Sequence, residues 1–103
     1  MKNDLLGKEV MIRTYSAGVH YGKLSKAKAI KGGYSVKLTN STRVYSWAGA
    51  CTLSQLATEG TKNTETKLSV KVPSIYLNAI EIIEMDDLAS KRLNEIPTWK
   101  INN

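Results

Sequence analysis

Phenylalanine is absent, and the 103 residues contain one cysteine, one histidine and two prolines. One cysteine allows no internal disulfide, and Cys51 with His20 is too small a ligand set for a structural zinc site. Cys51 is instead expected as a small buried side chain at a helix start. No apolar run approaches the roughly 20 residues of a membrane helix, and the opening MKNDLLGKEV carries no signal-peptide apolar region. A soluble, intracellular chain is expected. No Gly-rich loop ending in Lys-Ser/Thr is present, and the single histidine has no carboxylate in its own segment. The most informative absence is of acid: Val10 to Thr58 contains no Asp or Glu.

That same segment carries seven fixed positive charges, Arg13, Lys23, Lys26, Lys28, Lys31, Lys37 and Arg43. It also holds Tyr15, Tyr21, Tyr34, Tyr45 and Trp47, flat rings that can stack on bases. One reading is an anion-binding surface with nucleotide chemistry. The other is a solvated basic sheet whose aromatic side chains are core. The net charge of +6 is uneven, because Glu81, Glu84, Asp86, Asp87 and Glu95 crowd the C-terminal quarter. A basic body beside an acidic end favours a directed anion site and offers opposite charges for self-association.

With 42% hydrophobic and 23% charged residues the chain reads as one globular domain over residues 1–103. The period of two in KEVMIRT sets Val10 and Ile12 against Met11 and Arg13, the mark of a half-buried strand. Val19 to Ala29 is extended again, and Lys31-Gly32-Gly33 turns a hairpin into Tyr34–Thr39. Asn40-Ser41 then reads as a second turn, into a separate strand over Thr42–Trp47. Thr52 followed by Gln55 is capping-box spacing, so a short helix is expected to Glu59 with Gly60 at its end. TKNTET (61–66) reads as a structureless, mobile loop. Beyond it Leu68, Val70 and Val72 alternate, Pro73 marks an edge or bend, and Ile75–Met85 forms one or two strands. Asp86-Asp87 can cap a last helix through Leu93, ended by Pro97. The expected fold is mainly β (α+β), a small antiparallel sheet or partly closed barrel with one or two short helices.

Two stretches concentrate chemistry, and both lie at strand ends. In Arg13–His20 an arginine feeds a turn whose small residues can offer backbone N–H groups to phosphate, although an ordinary turn has the same composition. In Arg43–Ala50, period-two spacing sets Arg43, Tyr45 and Trp47 on one face, as a ligand platform or as core. The hairpin lysines read as solvated charges guarding exposed strands. No catalytic constellation, metal site or cofactor is predicted, and the chain is expected to be a non-enzyme.

RTYSAGVHYGKL (Arg13–Leu24), TRVYSWAGACTLSQLATEGT (Thr42–Thr61) and the ending NAIEIIEM through IPTWKI resemble a widespread family of small bacteriophage proteins. Its pattern runs RTYSAGV, then W-x-GA-x-TLSQLA-x-EGT, over most of this chain. The match departs at Thr42-Arg43 and Tyr45, where that pattern has two arginines and a tryptophan pair, which weakens the transfer of exact ligand preference. The resemblance extends to phage sponge proteins and implies immune evasion. Such a protein sequesters, without cleaving it, a cyclic dinucleotide alarm signal of CBASS-type antiviral defence in the host cytoplasm. On that reading Arg13, Tyr15, Ser16, His20, Arg43, Tyr45 and Trp47 bind the cyclic nucleotide, in a pocket shared within a homo-oligomer, dimer or tetramer. Ile80, Ile82, Ile83 and Trp99 would supply its apolar contact or fill the monomer core. Two alternatives stay open: a single-stranded nucleic-acid-binding module, and an inhibitor module docking an acidic host protein.

Overall fold

Strand β1 (Glu9–Thr14) is buried on both faces, and the architecture follows from that. In the computed structural model, which describes residues 3–101, Val10 and Ile12 enter one apolar cluster and Met11 a second on the opposite side. The half-buried expectation for this strand is therefore corrected. Its outer face is covered by α1 (Leu53–Thr58) and α2 (Asp87–Asn94), whose Leu56, Ala57, Ala89 and Leu93 pack with Met11 and Tyr21.

The remaining strands are β2 (Val19–Ile30), β3 (Gly33–Ser46), β4 (Lys67–Leu68) and β5 (Val72–Glu84), all paired antiparallel. The order is β2-β1-β5-β3-β4, and β2 also pairs with β3. Pairings thus run in a ring through β1, β2, β3 and β5, so the sheet curls back on itself. The second cluster, with Val36, Leu38, Leu24 and Leu77, lies on its concave side. The mainly β fold with an antiparallel sheet and two short helices is as the sequence predicts.

Asn40-Ser41 does not turn the chain. Asn40 adopts φ 49°, a left-handed conformation that asparagine tolerates, and inserts as an extra residue within one continuous β3. The register shows it: Tyr21 faces Thr42 but Lys23 faces Thr39. The extra residue exchanges the faces of the strand, so Val36 and Leu38 lie in one cluster and Val44 in the other. Gly22, opposite, permits this close approach, because a Cβ there would lie 3.0 Å from both the Ser41 Cα and the Thr39 carbonyl oxygen.

Three other expectations change. The 61–66 loop is anchored, since the buried Thr61 and Thr66 hydroxyls donate to the Ala48 carbonyl at 2.6 and 3.2 Å. Leu68, Val70 and Val72 do not share a face: Leu68 is buried, Val70 is exposed, and the ladder stops between them. Cys51 is exposed, because it precedes the helix cap. The cap itself forms as spaced, with Thr52 Oγ1 accepting from Gln55 N and Gln55 Oε1 accepting from Cys51 N.

Candidate functional site

The ring of strands opens at the end where β2 and β3 run past the start of β5. A cleft of about 280 Å³ lies there, with His20, Ser41, Arg43 and Ser69 on its polar side and Val70, Val72 and Ile75 as its apolar wall. The extra residue at Asn40 builds this site: it brings Ser41 and Arg43 to the concave face, Arg43 directly across from His20 and Ser41 across from Val72. The Ser69 hydroxyl accepts from Arg43 N at 2.9 Å, and Ser69 N donates back to the Arg43 carbonyl at 3.0 Å. That pair of bonds fixes the backbone of Arg43 and leaves its side chain free. Its guanidinium has no hydrogen bond and no ion pair among the described residues.

Two buried polar groups face this cation. Ser41 is 1% exposed, and its hydroxyl oxygen has no hydrogen-bond partner among the described residues. Buried hydroxyls are nearly always bonded, so an orphan lining a cleft is a place where a ligand atom can complete the set. His20 is also 1% exposed, and its Nε2 donates to the Ala17 carbonyl at 2.9 Å. The bond fixes the tautomer and ties the Tyr15–Gly18 turn to the cleft. Thr14 Oγ1 accepts from Ala17 N and donates to the Gly18 carbonyl, so the Ala17 N–H is used within the turn and is not offered to phosphate.

Burial pushes the His20 pKa below the ordinary value, the Ala17 carbonyl partly offsets this, and the nearby Arg43 charge adds to the fall. A depressed native pKa means that the unfolded chain binds the proton more readily. Stability is then fully present above the unfolded value, about 6.5, and is lost as pH falls below it toward the native value. The urea midpoint is accordingly expected to drop between pH 7.5 and 5.5, and His20→Gln, which keeps a donor for Ala17, should flatten that drop. An equal pH slope in the variant would assign the effect to other groups.

Of the residues the sequence singles out, only His20 and Arg43 line this cleft. Arg13 pairs with Val19 and Glu81, one register step from Ile12 and His20, and so projects to the opposite face; its Nε donates to Glu81 Oε1 at 3.2 Å. Tyr15 and Ser16 stand exposed in the turn. Tyr45, 66% exposed, stacks against Trp99 with ring centroids 5.0 Å apart, and Lys67 Nζ lies 5.1 Å from the Trp99 centroid. Trp47 lies beyond the end of β3, packs against the helix-side cluster, and donates its indole N–H to the Ala50 carbonyl at 3.2 Å. The predicted row of Arg43, Tyr45 and Trp47 is thus broken at its third member. Ser41 and Ser69 are the members that sequence reasoning missed. Gly22 inside a strand pattern was the available signal, since such a glycine marks a bulge or a close backbone approach.

Among the described residues no helix is long and apolar enough to cross a membrane, and no group of three or more His, Cys, Asp or Glu is placed to hold a metal ion. A family model described as a domain of unknown function, DUF6948, matches residues 7–93. No curated protein and no solved structure matches the chain.

Proposed function

The chain belongs to the DUF6948 family, and we propose that it is a non-catalytic binding protein that sequesters a cyclic nucleotide through a phosphate subsite at Arg43 and Ser41, with the neutral His20 ring as part of the cleft wall. The observation that carries this reading is the free Arg43 guanidinium beside the orphaned Ser41 hydroxyl in one cleft. A phosphate oxygen accepts from both, and a guanidinium matches its geometry with paired donors. The sponge-like motifs supply the finer ligand class, a cyclic dinucleotide of CBASS-type phage defence, acting in the host cytoplasm. They fall on the segments that build the cleft: Arg13–Leu24 contains the turn bonded to His20, and Thr42–Trp47 carries Arg43.

At about 280 Å³ the cleft lies just below the roughly 300–1,000 Å³ of drug-sized ligand pockets. It suits one phosphate and its sugar. A ligand with two phosphates calls for two such clefts facing each other, and a twofold dimer provides them.

Titration calorimetry against a panel of cyclic dinucleotides tests the reading. Arg43→Glu is expected to abolish binding with little change in melting temperature, since it removes a charge-assisted bond worth about 1.5–3 kcal/mol and adds repulsion. Ser41→Ala should weaken binding several-fold while raising stability by about 1 kcal/mol, because the free protein no longer buries an unbonded hydroxyl. Unchanged affinity in Arg43→Glu sinks the assignment.

A further inference from the structure

We infer that the outer face of the β2–β3 hairpin is a second, separate anion site, and that its ligand is a single strand of nucleic acid. A second irregularity creates this face. In β2 the register slips at Ser25, so that Leu24 faces Leu38 but Lys26 faces Lys37. The slip exchanges the sides of β2: Leu24 and Ala27 both reach the concave cluster, while Lys26 and Lys28 are exposed on the other side. Lys26, Lys37 and Tyr76 then form one row across three strands, with Lys28 about 6.6 Å further along β2.

Lys26 directly opposite Lys37 is a like-charge pair, which destabilises a sheet. Neither ion pair among the described residues relieves it, since these join Lys8 to Glu84 and Arg13 to Glu81. Guarding an exposed edge accounts for Lys26 and Lys28, because among the described residues β2 beyond Leu24 has no strand partner other than β3. It does not account for Lys37, which is flanked by β2 on one side and β5 on the other. The lysines border a groove of about 420 Å³ that also includes Tyr76. Tyr76 is 65% exposed, and Lys37 Nζ lies 5.7 Å from its ring centroid. Cations spaced along a strand beside an open ring meet a backbone of phosphates carrying unstacked bases. A duplex hides its base faces and has nothing to offer the ring.

Fluorescence anisotropy with a labelled ten-nucleotide oligothymidine, at about 50–300 mM salt, is the test. Three phosphate contacts predict a slope of log affinity against log salt near −2, at about 0.7 per contact on a single strand. Lys26→Gln and Lys37→Gln should each make that slope shallower by about 0.7, and Lys26→Gln should not lower the melting temperature. Tyr76→Ser is expected to weaken oligonucleotide binding roughly five- to hundredfold while leaving displacement by tripolyphosphate unchanged. Arg43→Glu, in the other cleft, should leave oligonucleotide binding intact whether or not the cyclic-nucleotide reading survives. Slopes unaltered by either lysine change, an unaltered affinity in Tyr76→Ser, or a loss in Arg43→Glu equal to that in Lys37→Gln would overturn the assignment.

Discussion

Gly33→Ala is expected to lower the melting temperature by roughly 12–24 °C, the shift that about 3 kcal/mol produces in a domain of this size. Gly33 opens β3 where the hairpin tip crosses β5. A Cβ there would overlap the Ala79 carbonyl oxygen and lie 3.2 Å from the carbonyl carbon. Both atoms are backbone of a strand that pairs with β3 on one side and β1 on the other, since Ala79 faces both Tyr34 and Thr14. No rotamer change relieves the clash, so the cost belongs at or above the upper end of the 1–3 kcal/mol usual for overpacking. Gly32→Ala is the control. Gly32 has φ 84° with nothing within 4 Å of its Cβ position, so alanine there meets only left-handed strain of about 1–2 kcal/mol. Thermal melts of the two variants separate the effects, and an equal fall in both would mean that crowding against Ala79 contributes nothing.

The sequence signals that succeeded were local. Thr52 and Gln55 cap α1 as their spacing predicts, Asp86 holds the N-cap position of α2 although its side chain makes no capping bond, and the Lys31-Gly32 turn closes the hairpin with Gly32 at positive φ. The failures share a cause: each depends on what lies across the sheet. Asn40 carries the composition of a turn, but the same left-handed residue serves equally as an insertion within a strand, and only pairing of β3 with both β2 and β5 keeps the strand continuous. The 61–66 loop exposes its middle, Lys62 to Glu65, as its composition suggests, but Thr61 and Thr66 at its two ends are buried and satisfy one carbonyl, that of Ala48.

The candidate site shows the same division. Arg43 and His20 were visible as residue types suited to anions, whereas their juxtaposition comes from a register that no window of sequence displays. Arg13 and Arg43 look equivalent in sequence, each followed by one residue and then Tyr-Ser. They differ in that β1 places Arg13 beside Glu81, while the neighbours that β3 gives Arg43, His20 and Ser69, carry no carboxylate. The Glu81 carboxylate beside Arg13 repels a second anion there, whereas no carboxylate pairs with Arg43 among the described residues. The proposed phosphate subsite rests on the free one for that reason.

Met11→Asp is expected to leave no folded protein at all, and it discriminates most sharply between the sequence pattern and the structure. Read as a half-buried strand, β1 has Met11 on its solvent side, where aspartate costs a few tenths of a kcal/mol. In the fold Met11 is 0% exposed, aligned with Tyr21 and Ile83, within the cluster that includes Leu56, Ala89 and Leu93. Lys71 Nζ lies over the Tyr21 ring of that cluster, 5.1 Å from its centroid, but already donates to Thr42 Oγ1 at 3.0 Å. An unpaired carboxylate placed there meets a desolvation penalty of several kcal/mol, and aspartate is too short to carry its charge out to water. Losing the methionine side chain adds about 2–5 kcal/mol for the cavity. Together these terms match or exceed the roughly 5–15 kcal/mol by which domains are stable. Met11→Leu, which conserves volume, should cost under about 1.5 kcal/mol and preserve the far-ultraviolet dichroism of the sheet. Helix docking on this face is what buries Met11, so a folded Met11→Asp variant would show that α1 and α2 do not cover β1.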